Sequence, residues 1–204
     1  MRIGLLTDIH EEVAHLRTAL RVLAAEGVDT IVQIGDACDA FGPGRDRLET
    51  AELLANARAI GVWGNHDVGF CHEVPDEVRQ QADPRVLEYM AGMKPRLVVE
   101  DCHFSHVEPW LDPHSTLDLW YFDGMPDTSE KAARSFNAVP QYVIFLGHFH
   151  KWFVMSESGR VSWEGTAPLV LEPEKRHIIV VAPVVSGQFG IYDTTTRTLT
   201  PFRC

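Results

Sequence analysis

The chain has 204 residues, 45% of them hydrophobic and 23% charged, an ordinary globular composition long enough to bury one sizeable core. Asp and Glu outnumber Lys and Arg 29 to 18, and the resulting formal charge of -11 repels polyanions and disfavours general coating of nucleic acid. No apolar run approaches the ~20 residues of a membrane span, the N-terminus turns polar at Thr7-Asp8, and Cys38, Cys71, Cys102 and Cys204 stand singly, which together predict a cytoplasmic protein with reduced, mostly buried thiols.

In chain order, Arg2 to Leu6 reads as a short buried strand, and Val13, Leu16, Leu20 and Leu23 then recur at helical spacing until Gly27. Thr30 to Ile34 is a second strand, Asp46 to Arg58 a second helix and Ile60 to Trp63 a third strand. This β-α-β-α-β order implies right-handed crossovers and a parallel sheet. Beyond Asp67 the pattern loosens into weak helices at Asp76 to Gln81 and Pro84 to Met93 and strands at Arg96 to Val99 and Asp101 to Ser105. Val107 to Pro140, rich in Pro, Asp and aromatics, reads as a long loop carrying one helix near Ser129 to Phe136. Short strands are expected at Tyr142 to Leu146, Lys151 to Ser156, Arg160 to Glu164, Arg176 to Ala182, Gly190 to Asp193 and Leu199 to Phe202. With no internal repeat, low-complexity tract or linker between the two halves, residues 1–204 are expected to form a single domain.

Ten histidines are the odd item in so acidic a chain, because imidazole is the commonest side-chain metal ligand. Five of them fall in polar clusters at expected strand ends. Asp8-Ile-His10 leaves the first strand, with both side chains expected on the same side of an extended segment. Gly35-Asp36 follows the second strand and Gly64-Asn65-His66-Asp67 the third. In the second half, His106 ends a strand and Gly147-His148-Phe149-His150 leaves the apolar run Tyr142 to Leu146. Strand carboxyl ends are where open α/β sheets bind ligands. Singly these clusters carry little, and Asp101-Cys102-His103 repeats the first spelling with no helix after it. Five of them in order, each at a strand end, make chance agreement remote.

The set resembles the motifs of the calcineurin-like metallophosphoesterase superfamily, specifically its small single-domain phosphodiesterase-like members, from Asp8 to His150. That resemblance implies an α/β fold, a four-layer α-β-β-α sandwich of two mixed sheets, with the site at the carboxyl ends of both. It also implies that Asp8, His10, Asp36 and His150 hold one divalent transition-metal ion and that Asp36, Asn65, His106 and His148 hold a second, Asp36 bridging. His66 is then a general acid or transition-state donor on the leaving-group side, with Asp67 orienting it and raising its pKa. The residue types suit that chemistry. Two divalent ions about 3.5–4 Å apart polarise phosphoryl oxygens and generate a bridging hydroxide for in-line attack. Set against two carboxylates and one hydroxide, they leave the site at about +1. Oxygen and nitrogen donors without thiolate suit Mn, Fe, Co, Ni or Zn without choosing among them, and Mn is the ion expected first.

The expected reaction is hydrolysis of a small phosphodiester, the substrate being a small phosphate ester such as a nucleotide rather than polymeric nucleic acid, with no membrane partner. A phosphomonoesterase or nucleotide pyrophosphatase at the same site is the alternative. A non-catalytic interaction scaffold on this fold is the alternative of another class, and the filled ligand positions argue against it. Several positions depart from the family pattern. Glu11-Glu12 replaces the usual Gly-Asn, Val107 a usual Gly and Phe149 a usual small hydroxyl residue, which predicts a narrowed site or an unusual substrate. Asp39 keeps the second Asp of the longer Gly-Asp-x-x-Asp-Arg-Gly form without its Arg-Gly, and with Asp67 in place of Glu this argues against the protein Ser/Thr phosphatase branch.

Other features carry less. His10-Glu11-x-x-x-His15 is one residue too long for a zincin pair, its imidazoles lying about 140° apart on a helix. Phe41-Gly-Pro-Gly44 reads as a turn, and Arg45 and Arg47 as a solvated helix start, with contact to substrate phosphate as the alternative. Trp110, His114, Trp120, Tyr121, Phe122 and Trp152 are expected to pack the long loop on the core, with stacking of a base or aryl leaving group as the alternative. Cys38 and Cys71 read as spectators, and His72, His103 and His177 have no argued role.

Overall fold

Alternation in β1 (Arg2–Leu6) decides the layering, because Ile3 and Leu5 face a second sheet while Leu6 faces helices. Gly4 shares the helix-facing side, and a Cβ there would stand 3.0 Å from the Leu23 side chain, so its absence lets the first helix lie close. The structure, a computed structural model, describes residues 1–204 except Phe41, Pro43 and Arg45. The turn expected at Phe41 to Gly44 and the role weighed for Arg45 rest on those residues and lie outside the described ones.

From β1 the chain runs through α1 (Val13–Ala25), β2 (Thr30–Ile34), α2 (Arg47–Asn56) and β3 (Ile60–Val62), and β1, β2 and β3 pair in parallel as expected. Three short helices follow, α3 (Val68–Cys71), α4 (Asp76–Gln81) and α5 (Pro84–Ala91), the last capped by the Asp83 carboxylate accepting from the Arg85 amide. Next come β4 (Leu97–Val99), β5 (Cys102–Ser105), α6 (Thr116–Leu119), α7 (Ser129–Ala138) and β6 (Val143–Leu146). The C-terminal part is β7 (Phe153–Ser156), β8 (Gly159–Arg160), β9 (Leu169–Val170), β10 (His177–Val180), β11 (Gln188–Asp193) and β12 (Thr198–Arg203).

One six-stranded sheet has the order β3-β2-β1-β11-β12-β9 and the other β4-β5-β6-β10-β7-β8. In the first, β11, β12 and β9 extend the parallel trio with antiparallel pairings; in the second, β5, β6 and β10 are the parallel centre. The two sheets pack face to face through Ile3, Leu5, Val32, Ile34 and Val62 against Phe104, Val143, Phe145, Val154 and Ile179. Within that layer the Phe104 and Phe145 rings stack with centroids 5.0 Å apart. Outside it, Leu16, Leu23, Leu54, Val86 and Met90 of α1, α2 and α5 cover the first sheet, and Ala132 and Phe136 of α7 cover the second. The result is the four-layer α-β-β-α sandwich of two mixed sheets.

The expected strand at Arg160 to Glu164 is realised only as Gly159–Arg160. Beyond it the Trp163 indole N–H closes a local bond to the Ala167 carbonyl instead of continuing the ladder. The two-residue β9 and the single-turn helices α3 and α6 are too short to show a period in sequence.

Candidate metal centre

Each polar cluster of the sequence arrives at one edge of the sandwich, and the backbone there leaves ordinary conformation. Asp8, His10, Asp36, His148 and His150 all have positive φ, between 47° and 67°. This corrects the expectation that Asp8 and His10 share a side of an extended segment. β1 ends at Leu6, and the following amides lace onto the loop after β2, Asp8 N–H to the Gly35 carbonyl and Ile9 and His10 N–H to the Asp36 carbonyl. Left-handed conformation costs a residue with a side chain about 1 kcal/mol or more, and Asp and His tolerate it better than bulky or branched types. Glycines make the remaining room: a Cβ on Gly35 would fall 2.2 Å from His106 Nδ1, and one on Gly147 2.2 Å from Thr7 Oγ1.

Asp8, His10 and His150 form one group whose ligand atoms all lie within 4.8 Å of one another, and Asp8, Asp36 and His106 form a second. His150 Nε2 lies 3.1 Å from Asp8 Oδ1, and His10 Nε2 and His106 Nε2 lie 3.7 and 3.2 Å from Asp36 Oδ2. Asn65 Oδ1 is 3.0 Å from His106 Nε2 and 3.1 Å from His148 Nδ1. All seven residues expected as ligands are therefore linked in one chain of short separations. Asp8 and Asp36 come from the first sheet with His10 and Asn65, and His106, His148 and His150 from the second.

The donor set fits a cation. The Ile34 carbonyl accepts at 2.8 Å from His106 Nδ1, so that nitrogen carries a proton and the Nε2 lone pair of a neutral ring faces two acceptor oxygens, on Asp36 and Asn65. His10 Nε2 is buried without a hydrogen-bond partner. Burial disfavours charge on His106, yet the Asp36 carboxylate raises its pKa, while burial opposed by His106 leaves Asp36 below the usual carboxylate range. The pair thus retains a proton where positive charge is wanted. Burial, then His106, pushes His148 down to about 4, and burial also lowers His10, which keeps both rings neutral and able to donate lone pairs.

His66 sits beside this cluster, its ring centroid 4.8 Å from that of His10. The carboxylate that meets it is Asp39, with Oδ1 3.1 Å from His66 Nδ1, and His10, Asp39 and His66 form a third group of potential ligand atoms. Asp67, expected to orient His66, is fully buried and turned the other way. Its Oδ2 accepts from the amides of Asp36 at 2.6 Å and Gly64 at 3.0 Å, and its Oδ1 from Cys38 at 2.9 Å. Burial and the nearby Asp36 raise Asp67 to about 7 against those bonds. The sequence signal for Asp39 was its place in Gly-Asp-x-x-Asp.

Glu11 is a second residue whose place the motifs did not reveal. Its Oε1 accepts from the Asp39 amide and from Arg47 Nε, both at 3.1 Å, while Arg47 Nη2 donates to the Asp39 carbonyl at 2.6 Å. Arg47 also covers the Phe70 ring at 4.4 Å. It therefore braces the Asp39 loop and is not a solvated helix start. Cys38 and Cys71 are free thiols that burial pushes well above their ordinary pKa, which leaves them unreactive.

Of the aromatics, Trp152 is buried between the sheets, and Trp110 packs against Tyr121 and under the Arg134 guanidinium. Trp120 and Phe122 remain exposed, bordering His66 and His148 with ring centroids 5.0 and 6.0 Å away. Phe149 and Val107 are buried. Among the described residues no helix is long and apolar enough to cross a membrane.

Residues 1–180 match the model of the calcineurin-like phosphoesterase superfamily domain. The chain belongs to that superfamily. It is thereby a phosphoric ester hydrolase by class, carrying groups of residues able to hold metal. It is 25% identical over 209 residues to an uncharacterised protein of Methanocaldococcus jannaschii, a match spanning 93% of this chain and 78% of that one. A phosphodiesterase of the same archaeon is 31% identical over 71 residues, covering 35% of this chain and 39% of the relative. Among solved structures, a metallophosphoesterase from Sphaerobacter thermophilus superposes with a TM-score of 0.75 at 25% identity, over 100% of this chain and 87% of that one. An archaeal phosphodiesterase shares the fold with a TM-score of 0.55 at 14% identity, covering all of both chains.

Proposed function

We propose that the chain is a dinuclear metal-dependent phosphoesterase that hydrolyses a small phosphodiester in the cytoplasm, and that residues 1–204 act as one domain. The observation that carries this reading is the convergence of Asp8, Asp36, Asn65 and four imidazoles at separations of 3.0 to 3.7 Å, with no Lys or Arg among them. Asp8, His10, Asp36 and His150 would hold one ion, and Asp36, Asn65, His106 and His148 the other. When bound, two divalent ions, Mn first and Fe, Zn, Co or Ni as alternatives, supply a nucleophile at neutral pH and Lewis acidity toward phosphoryl oxygens.

The remaining work falls to the chain's own side chains. Asp39 accepts the His66 Nδ1 proton, which fixes the ring and leaves Nε2 to carry the proton that an alkoxide leaving group requires. Phosphodiesters gain most from such a donor, and the likeness to an archaeal phosphodiesterase supports the preference. Monoester or nucleotide pyrophosphate cleavage remains the competing chemistry at the same site. The acidic surface disfavours long polyanions, so a small ester such as a nucleotide is the substrate class.

Chelated protein reloaded with Mn is expected to hydrolyse bis-p-nitrophenyl phosphate faster than p-nitrophenyl phosphate. The reverse order assigns monoester chemistry, and no metal-dependent turnover of either rejects the reading. His66→Ala should bind both metals and lose about 10²–10⁴-fold in kcat; full turnover in that variant removes His66 from the mechanism.

A further inference from the structure

The segment between β5 and α7 has already buried the apolar groups it needs. Leu111 and Leu119 are in the core, Arg96 Nη2 donates to the Pro109 and Leu111 carbonyls, and the Trp63 indole N–H donates to the Pro113 carbonyl at 2.9 Å. At its far end Asp123 pairs with Lys131 and Arg134, and Arg134 in turn covers Trp110. A segment moored at so many points is a wall rather than a loose flap. Yet it leaves Trp120 46% and Phe122 63% exposed, where two rings of that size would ordinarily be turned inward.

Their placement gives the exposure a purpose. Trp120 stands 5.0 Å from the ring of His66, and Phe122 stands 6.0 Å from His148 and 5.9 Å from Phe149. Two aromatic faces thus border two histidines of one centre, on the side where the phosphoesterase reading puts the leaving group. We propose that Trp120 and Phe122 form an aromatic-recognition subsite that selects phosphate esters carrying a nucleobase. The inference rests on the phosphoesterase reading above and names the substrate class for it. Base stacking on an aromatic face tolerates any base, because each has a π-face, and strengthens affinity by about tenfold or more per stacked base. An acidic exterior beside a base-binding wall suits a mononucleotide ester and works against a polymer.

Calorimetric titration of the Mn-loaded protein with AMP and with ribose 5-phosphate isolates the base, since the two ligands share phosphate and sugar. Wild type is expected to bind AMP about tenfold more tightly. Trp120→Ala should remove most of that difference, Phe122→Ala part of it, and Trp120→Phe should keep most of it. Equal affinity for the two ligands in wild type overturns the proposal, and that is the result if the exposed rings serve a protein or lipid partner. So does an equal loss for both ligands in Trp120→Ala, which would make Trp120 only a support for His66. A base preference that depends on Trp120 in a protein that hydrolyses no ester keeps the subsite and rejects the phosphoesterase reading.

Discussion

Asp39 and Asp67 are both neighbours of His66, one in space and the other along the chain, and substitutions separate their work. Asp39→Asn keeps the shape at His66 Nδ1 but weakens the charge facing it, so metal content should hold while kcat falls about tenfold. Asp67→Ala instead strands the buried amides of Asp36, Cys38 and Gly64, at about 1–3 kcal/mol for each unsatisfied group. A lowered melting temperature with reduced metal binding is the expected result. The candidate ligands and their order are legible in sequence, since Asp, Asn and His at strand ends announce themselves. Sequence did not reveal which carboxylate reaches His66. Around a tight turn consecutive side chains diverge, and His66 and Asp67 follow that rule, whereas Asp39 is delivered from a separate loop braced by Glu11 and Arg47.

Elements carry the site by ending abruptly. The strand trio β1, β2 and β3 was legible from apolar runs separated by helical periods, and the second-half strands largely so. The left-handed residues that follow the strands were not, because no periodicity marks a single positive φ. Gly35 is where this matters most: it has φ +89°, and Gly35→Ala would press a Cβ against His106 Nδ1. That variant should melt lower by about 1 kcal/mol or more from the backbone alone and show less than two metal equivalents by elemental analysis. On β5, burial and then Arg96 lower His103 from 6.5 to about 4. Between those values the unfolded chain takes up a proton that the native chain refuses. Its contribution is therefore complete above pH 6.5 and lost as pH falls toward 4, at about 1.4 kcal/mol for each tenfold rise in proton concentration. Urea melts at stepped pH should show His103→Phe with a shallower decline than wild type across that window.

On the scale of the whole molecule, the candidate ligands divide between the two sheets, four on one and three on the other. Metal bound there would cross-link the sandwich at its edge, and a ligand that binds only the native state stabilises it by mass action. Chelation should lower the melting temperature by several degrees, with Mn restoring it, and should loosen amide protection in the loops after β2 and β6 together rather than one at a time. Independent loosening of the two loops would mean that the ions do not span the sheets.

The stacked Phe104 and Phe145 rings, cross-strand neighbours on β5 and β6, lie inside the layer that sets the spacing of those sheets, two and three residues along the chain from His106 and His148. A change of volume there slides one half of the ligand set past the other. Interior packing thereby becomes a tuning control on ion affinity: Phe104→Leu should weaken the second ion before it measurably disturbs the fold, and a compensating enlargement across the layer should restore it. Variants that adjust the centre can accordingly arise in the hydrocarbon interior, where neither charge nor substrate ever reaches.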